Sequence, residues 1–263
     1  MQAVLNPRIM QKLYTLFFAC IIWLGTNHHA AAQVNVQDSI VSTFIIPFSY
    51  AYQMPLGDIK DEFGSNFTAG TGLIYKTSSN WMWGLRGNYI FGAKVKNTDI
   101  IIKDLSTSQG GIISTAGTFA ELRPMQRGFD VMLKCGKLIP AFNINVNSGV
   151  FVNIGLGYLM HKIQWVVEEK NAPQLNKEYR KGYDRFTEGL AVSQEVGLMV
   201  ISNKRMWNYR VAVECVEAFT KNKRYNFDTM SRDNKNRLDI YLGVKLTWMV
   251  PLFGRAPRDM YYR

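Results

Sequence analysis

Few residues in this chain have the type and spacing to do covalent chemistry. Of its three histidines, His28 and His29 end an apolar N-terminal stretch, and only His161 falls in the body of the sequence. A histidine base needs a carboxylate to orient it and a hydroxyl, thiol or water to activate. A histidine–serine pair of the kind that deacylates lipids would put serine two residues on, and Ile163 stands there. His161 therefore reads as a polar residue satisfied inside the fold. Asp58-Ile59-Lys60-Asp61-Glu62 offers carboxylates without the glycine-containing spacing of a calcium loop. Gly70-Thr71-Gly72 is too short to cradle a phosphate. Cys135 and Cys215 lie among alternating apolar residues, without the histidines of a zinc site, and are expected to be free thiols. No catalytic, metal or cofactor-binding residue is expected, and no cofactor; the chain does not read as an enzyme.

The remaining chemistry is charge. Lys76, Arg86, Asp130, Lys134, Glu195, Arg210, Glu214 and Lys245 each stand at one alternate position of a segment whose other positions are apolar. Five cations and three carboxylates in that register suit a narrow interior where charges pair across the space. A second group, Lys221, Lys223, Arg224, Arg232, Lys235 and Arg237, is met nearby only by Asp228 and Asp233. It reads as a basic loop surface, fit to hold surface polysaccharide or a partner protein.

The elements that position these charges are strands. From Leu238 to Val250 the apolar residues Leu238, Ile240, Leu242, Val244, Leu246, Trp248 and Val250 alternate with Asp239, Tyr241, Gly243, Lys245, Thr247 and Met249. Strand side chains alternate faces, so one face suits hydrocarbon and the other is small or polar. Seven earlier segments repeat the pattern: Thr43–Met54, Phe67–Lys76, Trp81–Gly92, Phe129–Lys137, Val150–His161, Leu190–Ile201 and Trp207–Phe219. Pro47 removes a ladder donor from the first, where a bulge or an unpaired position is expected. Gln194 interrupts the apolar face of the sixth. Residues 99–122 lack a clean apolar face and read as a hairpin outside the barrel rather than as two more strands.

Three features choose between a membrane barrel and a soluble, lipocalin-like barrel that turns its apolar face inward to a ligand. Long connections (55–66, 93–128, 162–189, 220–237) alternate with short ones (77–80, 138–149, 202–206), as in outer-membrane barrels with their long loops outside the cell. Trp81, Trp83, Trp207 and Trp248 all fall at strand ends on the short-turn side, as a periplasmic aromatic girdle would. The minor face carries the charges above. The expected fold is an all-β, eight-stranded antiparallel transmembrane up-and-down β-barrel with long extracellular loops.

Residues 1–32 read as a cleavable signal peptide, with basic Arg8 and Lys12, an apolar run from Leu13 to Gly25 and Ala30-Ala31-Ala32 before Gln33. Residues 33–263 would form the outer-membrane barrel, with a short periplasmic tail at 251–263. An exported basic chain points away from nucleic acid and toward outer-membrane lipid and lipopolysaccharide. The short motifs Asp38-Ser39-Ile40 and Asp228-Thr229-Met230 match an O-glycosylation pattern of Bacteroidota.

Several blocks resemble small outer-membrane barrels of that phylum: Met54-Pro55-Leu56-Gly57-Asp58, Lys181-Gly182-Tyr183-Asp184-Arg185, Phe227 to Asp233, and Pro251 to Tyr262. The resemblance brings no assigned activity and no functional residues. It implies an accessory role in a larger outer-membrane complex, such as a secretion or gliding machine. The expected function is therefore that of a non-enzymatic structural or accessory subunit acting through its loops. The alternatives are a narrow channel for small solutes and a soluble periplasmic lipocalin-like binder.

Overall fold

Period-two alternation is most regular where residues must choose between two unlike environments, and there it produces long strands. The computed structural model describes residues 40–108, 111–115, 117–167, 175–176, 178–202, 207–233 and 235–253. The expected signal peptide and the tail beyond Phe253 lie outside them. Eight antiparallel strands close into a ring: β1 (Thr43–Gly57), β2 (Asn66–Lys76), β3 (Trp81–Gly92), β4 (Arg123–Pro140), β5 (Gly149–Val166), β6 (Thr187–Val200), β7 (Tyr209–Asn222) and β10 (Arg237–Leu252). Each pairs with its sequence neighbours, and β1 pairs with β10 to close the barrel. A small hairpin of β8 (Tyr225–Asn226) and β9 (Ser231–Arg232) rises from the last long loop.

The apolar face points outward, opposite to a lipocalin. On β10, Leu238, Leu242, Val244, Leu246 and Leu252 are exposed while Asp239, Tyr241, Lys245, Thr247 and Met249 are buried. Trp81, Trp83 and Trp207 stand exposed on the outer face at the short-turn rim, where Trp248 stacks on Phe48 at 5.7 Å. On β4 the outward row Phe129, Val131, Leu133 and Cys135 is bracketed by Arg127 and Lys137, the latter with its ammonium 5.5 Å from the Trp81 ring. An ammonium reaching along an aromatic is the habit of a lysine at the edge of an apolar layer.

Strands run beyond the segments read from the sequence, chiefly at the long-loop rim. β4 starts at Arg123 rather than Phe129, and β5 ends at Val166 rather than His161. On β5 the alternation continues past His161 but its phase inverts: Lys162 and Gln164 now face out, and buried Ile163 and Trp165 face in. Apolar residues outside give way to apolar residues inside within one strand. The inward Ile163 and Trp165 pack against the long loops that fold over this end of the barrel. The long connections shorten accordingly, to 58–65, 93–122, 167–186 and 223–236.

At Pro47 the ladder toward β2 is unpaired at Ile46 and Pro47, with register kept on either side, while the ladder toward β10 is continuous. There is no bulge. Residues 98–105 form short helical turns, and Ile113 and Phe119 make one isolated bridge, so this stretch adds no barrel strand. Cys135 and Cys215 are free, on non-adjacent strands, and exposed Gln194 lies opposite Cys215.

Two apolar clusters fill the interior, one at each end. At the short-turn rim Ile45, Met82, Leu138, Phe151, Met199 and Met249 pack together. At the long-loop rim the loops fold inward, so that Ile59, Phe63, Ile101, Ile112, Leu175 and Tyr183 cap Trp165, Met132, Leu159 and Tyr241 of the wall. An eight-stranded barrel holds little more than its own side chains. Here those side chains form apolar, polar and apolar layers in turn.

Candidate functional site

The charged middle layer is built by inward positions of five strands, β3, β4, β6, β7 and β10. Arg86 on β3 reaches Glu214 on β7 at 2.6 Å and Asp130 on β4 at 3.5 Å. Lys134 spans Glu195 at 2.6 Å and Glu214 at 2.5 Å, and Lys245 spans the same two carboxylates at 2.8 and 3.1 Å. Arg210 lies 3.5 Å from Glu195 and sets its guanidinium 3.7 Å over the Phe151 ring, joining the network to the lower apolar cluster. Asn88 donates to both oxygens of Asp130 at 3.1 and 3.0 Å. Glycines make the room. A Cβ at Gly155 would collide with Ser193 Oγ and stand 3.1 Å from Cγ of Lys134, so this wall position must be bare for the lysine to cross the lumen.

Seven of the eight charges read from the sequence as lumenal thus meet in one network. Lys76 does not. It is fully buried at the short-turn rim, donating to Val41 O at 3.2 Å and Asn147 Oδ1 at 2.8 Å.

Above the network lies a polar relay. His161 Nε2 is 2.9 Å from Asp239 Oδ2, which also accepts from Thr220 Oγ1 at 2.6 Å. Gln126 donates to the Tyr241 hydroxyl at 2.9 Å and accepts from Asn66 at 3.0 Å. Histidine, carboxylate and hydroxyl are together, but in the wrong order for nucleophilic catalysis. The hydroxyl donates to the carboxylate and not to the imidazole, and Phe63 closes edge-on over His161 at 5.5 Å. Among the described residues no three metal-ligating side chains come together.

A third set of charges occupies the outer mouth. Gly57 ends β1 at φ 65°, where a Cβ would strike the Leu238 carbonyl, and the tight turn that follows brings Glu62 against Arg237 at the start of β10. There Glu62 Oε1 accepts from Arg237 at 2.8 Å and from Arg185 at 3.2 Å, and Arg185 also reaches Asp228 at 2.7 Å. Arg185 holds φ at 44°, a left-handed conformation uncommon for a side chain of its size. Arg224 pairs with Asp184 and covers the Phe186 ring at 4.9 Å. Burial pushes the Asp184 carboxyl above its ordinary value, more than the facing Arg224 and Lys162 pull it down.

The six cations of the basic loop segment therefore do not share one surface. Lys221 projects outward from β7, Lys223 lies 3.8 Å from Glu188, and Arg224 and Arg237 are tied into the mouth. Arg232 and Lys235 remain exposed beside the hairpin. In the sequence Glu62 stands out only as one of the carboxylates of 58–62, and Asp184 and Arg185 only within a block of resemblance; their partners lie 40–175 positions away. The usable signal was apolar: Ile59 and Phe63 beside Glu62 are too hydrophobic for a solvated loop.

No protein-family model matches the sequence, and no curated protein matches it. Several solved small outer-membrane proteins share the arrangement of strands at low identity. The attachment invasion locus protein Ail of Yersinia pestis, solved in complex with the heparin analogue sucrose octasulfate, is 9% identical, with 79% of this chain and 99% of that one covered and a TM-score of 0.38. OprG from Pseudomonas aeruginosa is 13% identical over 84% of this chain and 100% of its own, TM-score 0.38. AlkL, solved in lipid bilayers, is 13% identical over 88% and 100%, TM-score 0.37. The closed strand ladder, and not these likenesses, establishes the barrel.

Proposed function

We propose that this chain is an exported, non-enzymatic outer-membrane β-barrel that serves as a structural or accessory subunit through its outward loops. The observation that carries the reading is the outward apolar row of β5, exposed at Val152, Ile154, Leu156 and Tyr158, which gives way above His161 to outward Lys162 and Gln164. A soluble barrel has no use for a wall of exposed Leu133, Ile154, Leu156 and Leu190, and a bilayer does. Outer-membrane lipid and lipopolysaccharide are then the partners of the wall, and a larger outer-membrane protein complex is the partner of the loops. The resemblance to Bacteroidota barrels suits a place in a secretion or gliding machine.

The filled lumen weighs against the channel alternative. A solute would have to displace two apolar clusters and a network of paired charges. Folded protein is expected to migrate differently boiled and unboiled on a gel and to give no conductance steps in a planar bilayer; stepwise conductance would favour the channel. Pull-down from native outer membranes is expected to recover a stoichiometric complex, and recovery of a lone monomer would sink the accessory role.

A further inference from the structure

The outer face of β6 carries one residue that hydrocarbon does not suit. Leu190, Val192, Gln194, Val196 and Leu198 follow one another there, and Gln194 is the exposed centre of the row. At about 3.3 Å per residue it stands about 13 Å along the strand from Leu190 and from Leu198. The apolar band around such a barrel is about 25 Å tall, so Gln194 lies near its middle. Its ladder neighbours are Ile154 on β5 and Cys215 on β7, and its carboxamide has no hydrogen-bond partner among the described residues. In hydrocarbon, where no water competes, an amide without a partner is costly.

The side chains around Gln194 are short. Val192 and Val196 flank it on β6, and Val211 and Val213 lead up to Cys215 on β7. The far side of the barrel is clad in rings instead: Tyr50, Tyr52, Phe67 and Phe91 touch one another with centroids 5.4–6.4 Å apart. Short branched side chains let a second wall approach to the about 10 Å at which sheets pack face to face, and projecting rings hold it off.

We propose that the outer face of β6 is the contact between two copies of this chain, with their Gln194 carboxamides paired across a two-fold axis. Both copies cross the membrane in the same sense, so the axis runs along the membrane normal and a residue beside it meets its own counterpart at its own depth. The chemistry at the centre must therefore be self-complementary. A carboxamide is: each N–H donates to the carbonyl of the other, two bonds in all. A lysine or a carboxylate in that place would repel its copy. Glu217 stands one strand aside and two positions nearer the long-loop rim than Cys215, whose Sγ lies 3.9 Å from it, so it does not face its own copy. A different protein would need a polar residue of its own at this depth, whereas the second copy brings one by symmetry. The inference rests on the reading that this wall faces hydrocarbon.

The test joins sedimentation equilibrium of the full chain in detergent micelles to cross-linking in native outer membranes. The parent protein is expected to show a monomer–dimer equilibrium, and Gln194→Leu, which removes both hydrogen bonds and keeps the bulk, is expected to weaken it by about tenfold or more. With Cys135 and Cys215 replaced by serine, Gln194→Cys is expected to give a disulfide-linked dimer on oxidation with copper phenanthroline. Ala69→Cys, exposed on β2 four strands round the ring, is expected to stay unlinked in the same background. A parent protein that sediments as a monomer would overturn the proposal. So would Gln194→Leu associating as tightly as the parent, Ala69→Cys linking as readily as Gln194→Cys, or a Gln194→Cys link to a different protein. Heat-modifiable migration reads the barrel separately: a monomer that still shifts on boiling would leave the membrane barrel standing.

Discussion

The middle of the lumen and its outer mouth are built from the same ingredients, arginines, lysines and carboxylates, and they differ in closure. In the middle, four cations and three carboxylates cross-link one another with side chains no more than 10% exposed. At the mouth enclosure is graded: Arg237 and Glu62 are 11% and 10% exposed in their side chains, Arg185 20% and Arg224 32%, and Arg232 and Lys235 are exposed. Charges that consume one another set the shape of a barrel. Charges in surplus beside an opening remain with the solvent.

The largest effect that would break this contrast belongs to Glu214. It holds Arg86, Lys134 and Lys245, so Glu214→Ala leaves three enclosed cations short of a partner. A loss of roughly 3–5 kcal/mol is expected, read from denaturant unfolding of the detergent-solubilised barrel. An unchanged midpoint would mean that water already screens the network.

At the mouth, Glu62→Gln removes the charge shared by Arg185 and Arg237 but keeps an acceptor oxygen, so a cost of about 1–3 kcal/mol is expected. Amide hydrogen exchange is expected to quicken in residues 58–63 and 178–186 and to stay slow in β6 and β7. Uniform acceleration through the barrel would show that the mouth is as structural as the middle.

The smallest effect is expected at Asp184. Its carboxyl titrates above the ordinary 3.8 because burial outweighs Arg224, so its contribution is fully present below the unfolded value and is lost as pH rises through the folded one. Asp184→Asn is expected to shift neutral-pH stability by no more than about 0.5 kcal/mol. It should also flatten the pH dependence of loop protection just above 3.8. An unaltered pH profile would remove Asp184 from the account.

The eight strands could be read from the sequence because residues on a half-apolar wall must alternate, and one wrong residue is conspicuous, as at Gln194. The alternation misplaced strand ends where its phase reverses. Beyond His161 the pattern Lys162, Ile163, Gln164, Trp165 is still a strand, but one obeying the opposite rule, and a search for apolar residues facing out stops there. Lumenal charges were legible as the minor register of each strand. Their pairing was not, since Arg86 and Glu214 stand 128 positions apart and nothing local sets which cation meets which carboxylate. The mouth was least legible, because it is assembled from three loops whose residues meet only after the wall has closed.

The seam between β1 and β10 has a consequence for how the molecule is made. Thr43 Oγ1 donates to the Leu252 carbonyl across 209 positions of chain, and a continuous ladder follows from Phe44–Leu252 to Gly57–Asp239. Until that contact forms, the growing sheet has two open edges, each a row of unpaired amides and carbonyls able to zip onto another molecule. Closure of so large a loop comes late and is slow on entropic grounds. An intermediate of seven strands is therefore a sticky template rather than a smaller barrel. A cell that makes this protein must shield both edges until the last strand arrives.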